Sequence, residues 1–422
     1  MQILFVHQNF PGQFRHLWQA LLHAPGVEIR AITDYRNPNS SYSPMLRYLV
    51  GDETTKSVDI LGDHFAVRAR RGDAAARVML HLRQSGYMPD IVVGHVGWGE
   101  TLFVKDVWPK CCLIVHAEFY YSAEGADVGF DPEFSRDLDV AEIFRVRAKN
   151  ASILSTLIDA DFGIAPTRWQ AGRFPPELRH KMRVLHEGID TQLLRPDPAA
   201  RFTLNGASFG AEDEVITFVS RNLEPYRGYH AFMRALPEVL AARPRAHAII
   251  VGGDETSYGR PPTAAEGSSW KDVFLNEVQD RLPMRRVHFP GRISYPDFIK
   301  LMQISSVHVY YTYPFVLSWS MLEAMSAGAI VIGSRTPPVA EVIVSGQNGL
   351  MVDFFDRDGL VDNLVHVLEH RRELSRLRAA ARETIVENFD LKTICLPSWF
   401  AFLEELGGKQ VIAARPPSAG TD

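Results

Sequence analysis

The chain has 422 residues, of which 46% are hydrophobic and 23% charged, and a formal net charge of −5. This length exceeds one typical domain and suffices for two hydrophobic cores. The slightly acidic balance argues against nucleic acid as a partner. Three cysteines provide no disulfide framework, which fits a reduced, cytoplasmic setting. The start at Met1 lacks a basic segment, so the sequence predicts neither a signal peptide nor a membrane span.

Short apolar runs alternate with helical patterns in the first half of the chain. Residues 3–7 form the first run, Gly12 lies in the turn that follows, and a helical apolar face starts at Phe14. The glycines of this turn do not make a dinucleotide fingerprint, so NAD binding is not predicted. Further strands are predicted at 28–33, 90–95, 111–118, 162–166 and 183–186. Such alternation predicts a parallel sheet covered on both faces.

The helical stretch 66–87 carries several arginines among apolar residues. They are Arg68, Arg70, Arg71, Arg77 and Arg83. Such a face suits contact with an anionic membrane surface, although a basic amphipathic face is more often an ordinary solvated one. Peripheral contact with the inner membrane face is therefore the alternative to a purely cytoplasmic protein.

The composition changes at 195–210, which is rich in Pro, Gly, Asn and Ala and is interpreted as a linker. Alternation then restarts, with strands predicted at 215–220, 246–252, 287–291, 307–311, 330–332 and 349–354. We therefore predict an α/β protein of two tandem, doubly wound Rossmann-like domains facing a central cleft. The predicted parts are 1–195, 196–388, a C-terminal helix at 389–412 packing back toward the first domain, and a disordered tail at 413–422.

The segment 311–328 links a predicted strand to a predicted helix. Pro314 ends the apolar run, and Ser318 is a suitable helix cap. The loop between them lies at the carboxyl end of a parallel sheet and at a helix N-terminus, where open α/β proteins bind phosphate. Glu323 is a carboxylate inside this otherwise apolar helix. It either accepts hydrogen bonds from ribose hydroxyls or pairs with a nearby arginine.

Three further positions are candidates for chemistry. Arg221 and Arg227 follow the first strand of the second domain and either clamp a diphosphate or are a pair of exposed arginines. His116 ends a strand of the first domain, two residues before Glu118, and either positions a sugar hydroxyl or is an ordinary core histidine. Gly12 lets a ligand approach the backbone or is a plain turn glycine.

A metal site has little support in the sequence. Asp137-Leu-Asp139 is an acidic pair of the kind that holds a metal in some nucleotide-sugar enzymes, but it lies in a charged helical pattern and not after a strand. There is neither a Cys/His cluster with zinc spacing nor a phosphate-binding Walker loop. The sequence therefore predicts that no metal or cofactor is required.

Several motifs together resemble the retaining glycosyltransferases of family 4, which have the GT-B fold. They are Val219-Ser-Arg221 with Arg227-Gly228, Val251-Gly-Gly-Asp254, the segment 287–292, the segment 323–328, and Glu341 followed by Gly346-Gln-Asn-Gly-Leu350. Glu187-Gly-Ile-Asp190 and the opening segment 4–12 are also similar to members of that family.

The resemblance implies a role for each matched residue. Arg221 matches the diphosphate-binding arginine, and Arg227 stands where the family usually has lysine. Glu323 matches the glutamate that holds the donor ribose, and His116 matches a histidine near the donor sugar. Gly12 belongs to the matching first loop.

Other matched positions surround the donor. Arg292 and Ile293 match the segment that lies against the nucleobase, and the amides of Val316, Leu317 and Ser318 are expected to face the phosphates. Phe315 departs from the family, which has a glutamate beside the donor sugar at this position. A phenyl ring cannot accept a hydrogen bond, so either the sugar differs, another group serves, or activity is reduced.

The resemblance implies a metal-independent enzyme that transfers a sugar, with retention, from a UDP- or GDP-sugar to an acceptor hydroxyl in bacterial glycan or glycoconjugate biosynthesis. The first domain is expected to bind the acceptor and the second the donor. Two alternatives stay open: a nucleotide-sugar hydrolase or epimerase, and a catalytically weak nucleotide-sugar-binding protein.

Overall fold

A computed structural model describes residues 1–39, 42, 44–51, 60–135 and 140–407. Its contacts divide the chain into two compact units: unit 1 is Met1–Gly188 with the C-terminal segment from Leu391, and unit 2 is Ile189–Asp390. The boundaries differ from those expected at 195 and 388. Ile189 forms a parallel β-bridge with Asp390, and its amide donates to the Phe389 carbonyl at 2.8 Å, so the two crossing segments enter unit 2 side by side.

Unit 1 contains a parallel sheet whose strand order is β3-β2-β1-β4-β5-β6-β7. The strands are β1 (Gln2–Val6), β2 (Glu28–Asp34), β3 (Met45–Tyr48), β4 (Ile91–His95), β5 (Cys112–His116), β6 (Phe162–Ala165) and β7 (Met182–Val184). The sequence pattern does not predict β3, which pairs at the edge with β2 and is only partly buried along most of its length. Because β1, β4 and β5 are covered on both faces, they are almost wholly buried.

The helices of unit 1 surround this sheet. They are α1 (Arg15–Leu21), α2 (Ile60–Gln84), α3 (Val104–Val107), α4 (Val140–Lys149), α5 (Ala151–Asp159), α6 (Arg168–Gly172) and, at the end of the chain, α14 (Leu396–Gly407). Trp399, Phe402 and Leu403 of α14 share a buried cluster with Phe5 and Trp18. The last helix therefore completes the core of unit 1.

The arginines of α2 are engaged with unit 1 itself. Arg68 donates to the Gly97 carbonyl and Arg83 to the Val107 carbonyl, each at 2.9 Å. Arg77 pairs with Asp73 one turn earlier. Within the described residues, none of the helices combines the length and the apolar character that a membrane span requires.

Unit 2 contains a second parallel sheet, with the order β12-β11-β10-β13-β14-β15, and a separate hairpin, β8-β9. The strands are β8 (Phe202–Leu204), β9 (Ala207–Phe209), β10 (Val215–Asn222), β11 (His247–Gly253), β12 (Val287–Gly291), β13 (Val307–Tyr310), β14 (Ile330–Ser334) and β15 (Leu350–Val352). The helices are α7 (Tyr229–Ala242), α8 (Trp270–Val278), α9 (Tyr295–Ile304), α10 (Trp319–Ser326), α11 (Pro337–Ala340), α12 (Arg357–His370) and α13 (Ser375–Phe389). The two predicted parallel α/β sheets are thus confirmed.

The hairpin corrects the interpretation of 195–210 as a linker. Asn205 and Gly206 both have positive φ, at 49° and 81°, and join β8 to β9 in a tight turn. Phe202 and Phe209 face each other across the hairpin and are buried in the core of unit 2. Folded structure therefore replaces the second half of the expected linker. Asp137, Asp139 and the expected tail at 413–422 lie outside the described residues.

Candidate active site

The candidate donor site of unit 2 lies at the carboxyl ends of β10 and β13. These strands are parallel neighbours, so the residues that follow them lie at the same edge of the sheet. Pro314 lies in the loop after β13, and Ser318 caps α10 by accepting a hydrogen bond from the Ser320 amide at 3.4 Å. The predicted strand, loop and capped helix are confirmed here.

The two predicted arginines occupy different environments. Arg227 is buried, and its Nη1 donates to the Val316 carbonyl at 2.9 Å and to Thr312 Oγ1 at 3.0 Å. Tyr310 Oη lies 3.4 Å from the same nitrogen. Arg221 is exposed, and its side chain has no hydrogen bond or ion pair within the described parts of the chain. The alternative of two exposed arginines is therefore wrong for Arg227, which braces the loop after β13, while the Arg221 guanidinium is available to a ligand.

The expected row of free amides is shorter than the sequence suggests. The Ser318 amide donates to the Tyr310 hydroxyl at 2.7 Å, so that it is already paired inside the protein. This corrects the expectation for Ser318. The amides of Val316 and Leu317 have no acceptor among the residues described, which leaves two donors beside the helix N-terminus.

Phe315 is buried in an aromatic cluster. Its ring centroid lies 4.9 Å from that of Tyr258 and 5.7 Å from that of Tyr226, both in edge-to-face geometry. The Arg227 guanidinium carbon lies 5.7 Å from the same ring. Phe315, which stands where the family has a glutamate, is therefore accommodated by its surroundings, because three side chains from other segments pack around the phenyl ring.

The remaining donor-site candidates are held by neighbours in unit 2. Glu323 is buried, and its Oε1 accepts a hydrogen bond from the Tyr295 hydroxyl at 2.8 Å. Arg292 is exposed and donates to Asn222 Oδ1 at 3.1 Å and to Glu255 Oε2 at 2.5 Å. Ile293 is partly buried against the core of unit 2. Asn222, which ends β10, thus anchors the arginine expected near the nucleobase.

Glu224 is a buried carboxylate that sequence reasoning missed. It follows β10, is 0% exposed, and accepts the amides of Ser257 and Tyr258 on Oε2 at 3.0 and 2.9 Å. Its other oxygen, Oε1, has no hydrogen-bond partner in the described structure. A signal was present, because Glu224 stands between Leu223 and Pro225 immediately after a buried strand.

In unit 1, histidines gather at the carboxyl ends of the strands: His7 follows β1, His95 ends β4, His116 ends β5 and His186 follows β7. The sequence singles out only His116 for a functional role. Three of the four rings share one local device, in which Nδ1 accepts the backbone amide two residues later at 3.0 Å. Because a backbone amide can only donate, those three rings are neutral and carry their hydrogen on Nε2.

Two hydrogen bonds connect His7 to Glu118 through the side chain of Gln13. His7 Nε2 donates to Gln13 Oε1 at 3.0 Å, and Gln13 Nε2 donates to Glu118 Oε1 at 3.3 Å. His95 Nε2 lies 3.6 Å from the other carboxylate oxygen. Burial alone would raise the pKa of Glu118, but the neighbouring His95 and the hydrogen bond from Gln13 outweigh it and lower the pKa to about 2. Glu118 is therefore an ionised acceptor at neutral pH.

His95, His116 and Glu118 are residue types that bind metals, but the hydrogen on the His95 ring is on the nitrogen that would have to bind the metal. His95, His116 and Glu118 offer ligand atoms within 4.8 Å of one another. A ring nitrogen binds a metal through its lone pair, and a metal-bound histidine usually donates its other N–H. The Nδ1 of His95 instead accepts the Gly97 amide, so its Nε2 carries the hydrogen and offers no lone pair, and this Nε2 has no hydrogen-bond partner among the described residues. This tautomer of His95 does not suit metal ligation through Nε2.

His116 is only 2% exposed, and burial lowers its pKa to about 3. Its Nε2 has no hydrogen-bond partner within the described residues and lies 3.4 Å from Glu187 Oε1. It lines a small cavity together with Gln13, Phe14, Leu17, Glu187 and Trp399. The ring is therefore a neutral group at a cavity wall, which neither of its two sequence interpretations describes fully.

Gly12 has a structural requirement of its own. Its φ is +48°, and an added Cβ would lie 2.6 Å from His7 Cε1. A side chain here would displace the ring that Gln13 connects to Glu118, so the plain-turn interpretation is incomplete.

Comparison with known proteins identifies relatives of both units. Residues 25–194 match the model of the glycosyl transferase family 4 group, and residues 204–384 match that of the glycosyl transferases group 1. A GDP-mannose-dependent alpha-(1-6)-phosphatidylinositol monomannoside mannosyltransferase of Mycolicibacterium smegmatis is 23% identical over 246 residues, 56% of this chain and 60% of that protein. A glycogen synthase of Mycobacterium tuberculosis is 22% identical over 237 residues, 56% of this chain and 52% of its own length. The alignments thus span little more than half of these curated relatives.

Solved structures share the fold at low sequence identity. Sucrose-phosphate synthase from Thermosynechococcus elongatus has a TM-score of 0.70 at 18% identity, covering 97% of this chain and 100% of its own. Anabaena HepE, solved with UDP-glucose, has a TM-score of 0.65 at 15% identity, covering 96% and 100%. With both units matched by its sequence models and both sheets by its structures, the chain belongs to the group 1 and family 4 glycosyltransferases and has their GT-B fold.

Proposed function

We propose that the protein transfers a sugar from a nucleotide-sugar donor to an acceptor hydroxyl and that unit 2 binds the donor. The observation that carries this proposal is the exposed guanidinium of Arg221, at the same sheet edge as the amides of Val316 and Leu317, with none of the three paired to any residue that the structure describes. Together these groups provide a cation and two oriented donors, the combination that holds a diphosphate. The mannosyltransferase relative is named as GDP-mannose-dependent, and HepE was solved with UDP-glucose, so both nucleotides are candidates.

The donor site also suits departure of the diphosphate. Arg221 and the loop amides would stabilise negative charge as it develops on the leaving phosphate, and Arg227 would keep the loop in place. Glu323 would hold the ribose, and Arg292 with Ile293 would lie against the nucleobase. Family membership supports retention of configuration, with the leaving phosphate accepting the proton of the attacking hydroxyl, in bacterial glycan or glycoconjugate biosynthesis.

Unit 1 would bind the acceptor. Glu118 is ionised, and its side chain keeps 29% of its surface exposed, so it can accept a hydrogen bond from an incoming hydroxyl. His116 and Gly12 would contribute through the cavity and the His7 ring described above. Association with a membrane surface remains a proposal that only the lipid-linked substrate in the name of one relative favours.

A ligand panel tests this function directly. The free protein is heated with UDP, GDP, ADP, UDP-glucose or GDP-mannose, since a ligand that binds the native state raises its melting temperature. A shift with a nucleotide sugar, followed by donor turnover that requires an added acceptor, supports the transferase. Turnover without acceptor indicates a hydrolase or epimerase. Binding without any turnover supports the weak binder that the buried Phe315 favours, and no shift with any ligand overturns all three.

Glu118→Gln should lower donor turnover by at least about tenfold while leaving nucleotide affinity unchanged. The amide keeps the shape of the side chain but loses the charge that accepts the acceptor hydroxyl. Turnover of the donor found by the panel, including transfer to water, and calorimetric titration with the matching nucleoside diphosphate separate the two effects. Glu177→Gln, the same change at an exposed site of unit 1, is the control. Equal turnover in both variants contradicts the role of Glu118.

Treatment with EDTA should leave donor turnover unchanged within experimental error. The tautomer of His95 directs a hydrogen, not a lone pair, toward Glu118, and the proposed donor site uses arginine and amide groups. Rates are compared before and after chelation and dialysis. Full loss of turnover that manganese or magnesium restores would show that the mechanism requires a metal.

A further inference from the structure

Glu224 is a buried acid for which the proposed transfer has no use. It occupies the turn between Arg221 and Arg227, and its side chain is closed off from solvent. Its carboxylate holds the segment after β11 by accepting the amides of Ser257 and Tyr258. Asn222 reinforces this connection by donating to Ser257 Oγ at 2.7 Å.

The two oxygens of Glu224 differ in their hydrogen bonding, and this difference favours protonation of Oε1. Oε2 has both amide donors, whereas Oε1 has no hydrogen-bond partner among the described residues. A charged oxygen that is buried without a donor is costly, and protonation lowers that cost because burying a neutral hydroxyl is less unfavourable than burying a charge. In the neutral acid, Oε2 becomes a carbonyl that still accepts both amides, and the hydrogen goes to Oε1.

Burial and the charged groups around Glu224 together determine whether its carboxyl is ionised. Burial raises the pKa of its carboxyl to about 7, although the two amides and the positive charges of Arg227 and Arg221 oppose the rise. The acids of the facing segment are already paired, Asp254 with Lys271 at 3.2 Å and Glu255 with Arg292. The two arginines are thus the cations on which the charged form of Glu224 depends.

We propose that Glu224 is a proton-uptake site coupled to the donor, so that binding of a nucleotide-sugar diphosphate at Arg221 brings a proton onto this carboxylate. The inference rests on the proposed function, because it requires a diphosphate at that arginine. A diphosphate brings negative charge to the arginines that stabilise the ionised acid. The charged form of Glu224 is then less favourable in the complex than in the free protein.

The direction of the pH dependence follows from linkage. The pKa of Glu224 is higher in the complex than in the free protein, so binding consumes protons and affinity rises as pH falls through neutrality. A rise of about one pKa unit on binding corresponds to an uptake of about 0.4 proton at pH 7. The same rise makes the dissociation constant about tenfold larger at pH 9 than at pH 6.

Calorimetric titration of the full chain with UDP-glucose and GDP-mannose tests the coupling. Nucleotide sugars are used because their diphosphate diesters carry no group that titrates near neutrality. The apparent binding enthalpy at pH 7 is measured in buffers of different ionisation enthalpy, and its slope gives the protons taken up. We expect uptake in the wild type, none in Glu224→Gln, and unchanged uptake in Glu277→Gln, an exposed acid of α8 that pairs with Arg234.

Each outcome bears on one claim. Binding of a nucleotide sugar without proton uptake in the wild type overturns the coupling, and this result requires no variant to fold. Uptake that persists in Glu224→Gln assigns the proton to another residue and also overturns it. If neither nucleotide sugar binds at any pH, the proposed function itself fails.

Discussion

Arg227→Met should lower the free energy of unfolding by about 2–4 kcal/mol, because buried acceptors lose their donor, and should abolish measurable nucleotide-sugar binding. The guanidinium is buried, and one of its nitrogens satisfies the Val316 carbonyl and Thr312. Methionine fills much of the space but donates nothing. The loop after β13 then loses the contact that positions the amides of Val316 and Leu317. Urea denaturation and calorimetric titration measure the two losses.

Arg221→Met is the matched control because it removes the same group from an exposed position. The Arg221 side chain has no partner in the described chain, so stability should change by no more than about 0.5 kcal/mol. Nucleoside diphosphate binding should weaken by about 1.5–3 kcal/mol, the scale of hydrogen bonds to a charged group. If Arg221→Met binds as tightly as the wild type, the diphosphate lies elsewhere. If Arg227→Met is as stable as Arg221→Met, Arg227 does not brace the loop.

The sequence pattern was sufficient to predict the described strands of both parallel sheets, with the exception of the edge strand β3. Strands such as β4 and β14 begin with continuous apolar runs because both of their faces are buried, and that pattern is visible in the sequence. At the edge, β3 is short and mostly half-buried, so its residues carry no such signal. The hairpin β8-β9 did have a sequence signal, Asn205-Gly206 between two short apolar segments. The surrounding Pro and Gly residues resemble a linker and obscured it.

In the candidate site, features that depend on neighbours in sequence were predictable, and features that depend on distant segments were not. The cap at Ser318 depends on neighbours in sequence, and local pattern predicts it. Whether an arginine is buried, as Arg227 is and Arg221 is not, depends on a loop 85 to 89 residues away in the chain. The protonation of His95 depends on a backbone amide whose position only the folded turn defines. Sequence therefore identified chemical types at strand ends but not their partners.

Phe315→Ala should cost about 3–5 kcal/mol of stability, the usual result of truncating a buried phenylalanine, and should strongly reduce donor turnover. The ring packs against Tyr226 and Tyr258 and lies beside the Arg227 guanidinium, so its removal opens a void next to the brace of the loop. Phe315→Leu keeps most of the volume and is the control, with a smaller loss expected in both measurements. Denaturation and steady-state rates with UDP-glucose and GDP-mannose give the comparison.

Phe315→Glu separates packing from chemistry, because it restores the carboxylate that the family has at this position. The new charge would enter an aromatic cluster whose nearest cation, Arg227, already donates to Val316 and Thr312. Nucleoside diphosphate affinity should stay within about 1 kcal/mol, since Arg221 and the amides of Val316 and Leu317 are unchanged. Turnover with the native donor should fall, or the preference between the two nucleotide sugars should change. Faster turnover of the native donor by Phe315→Glu would instead mean that the phenyl ring lowers the activity of the site. Unchanged turnover by Phe315→Ala would mean that the ring does not touch the sugar, and the aromatic cluster would then serve only to hold the loop.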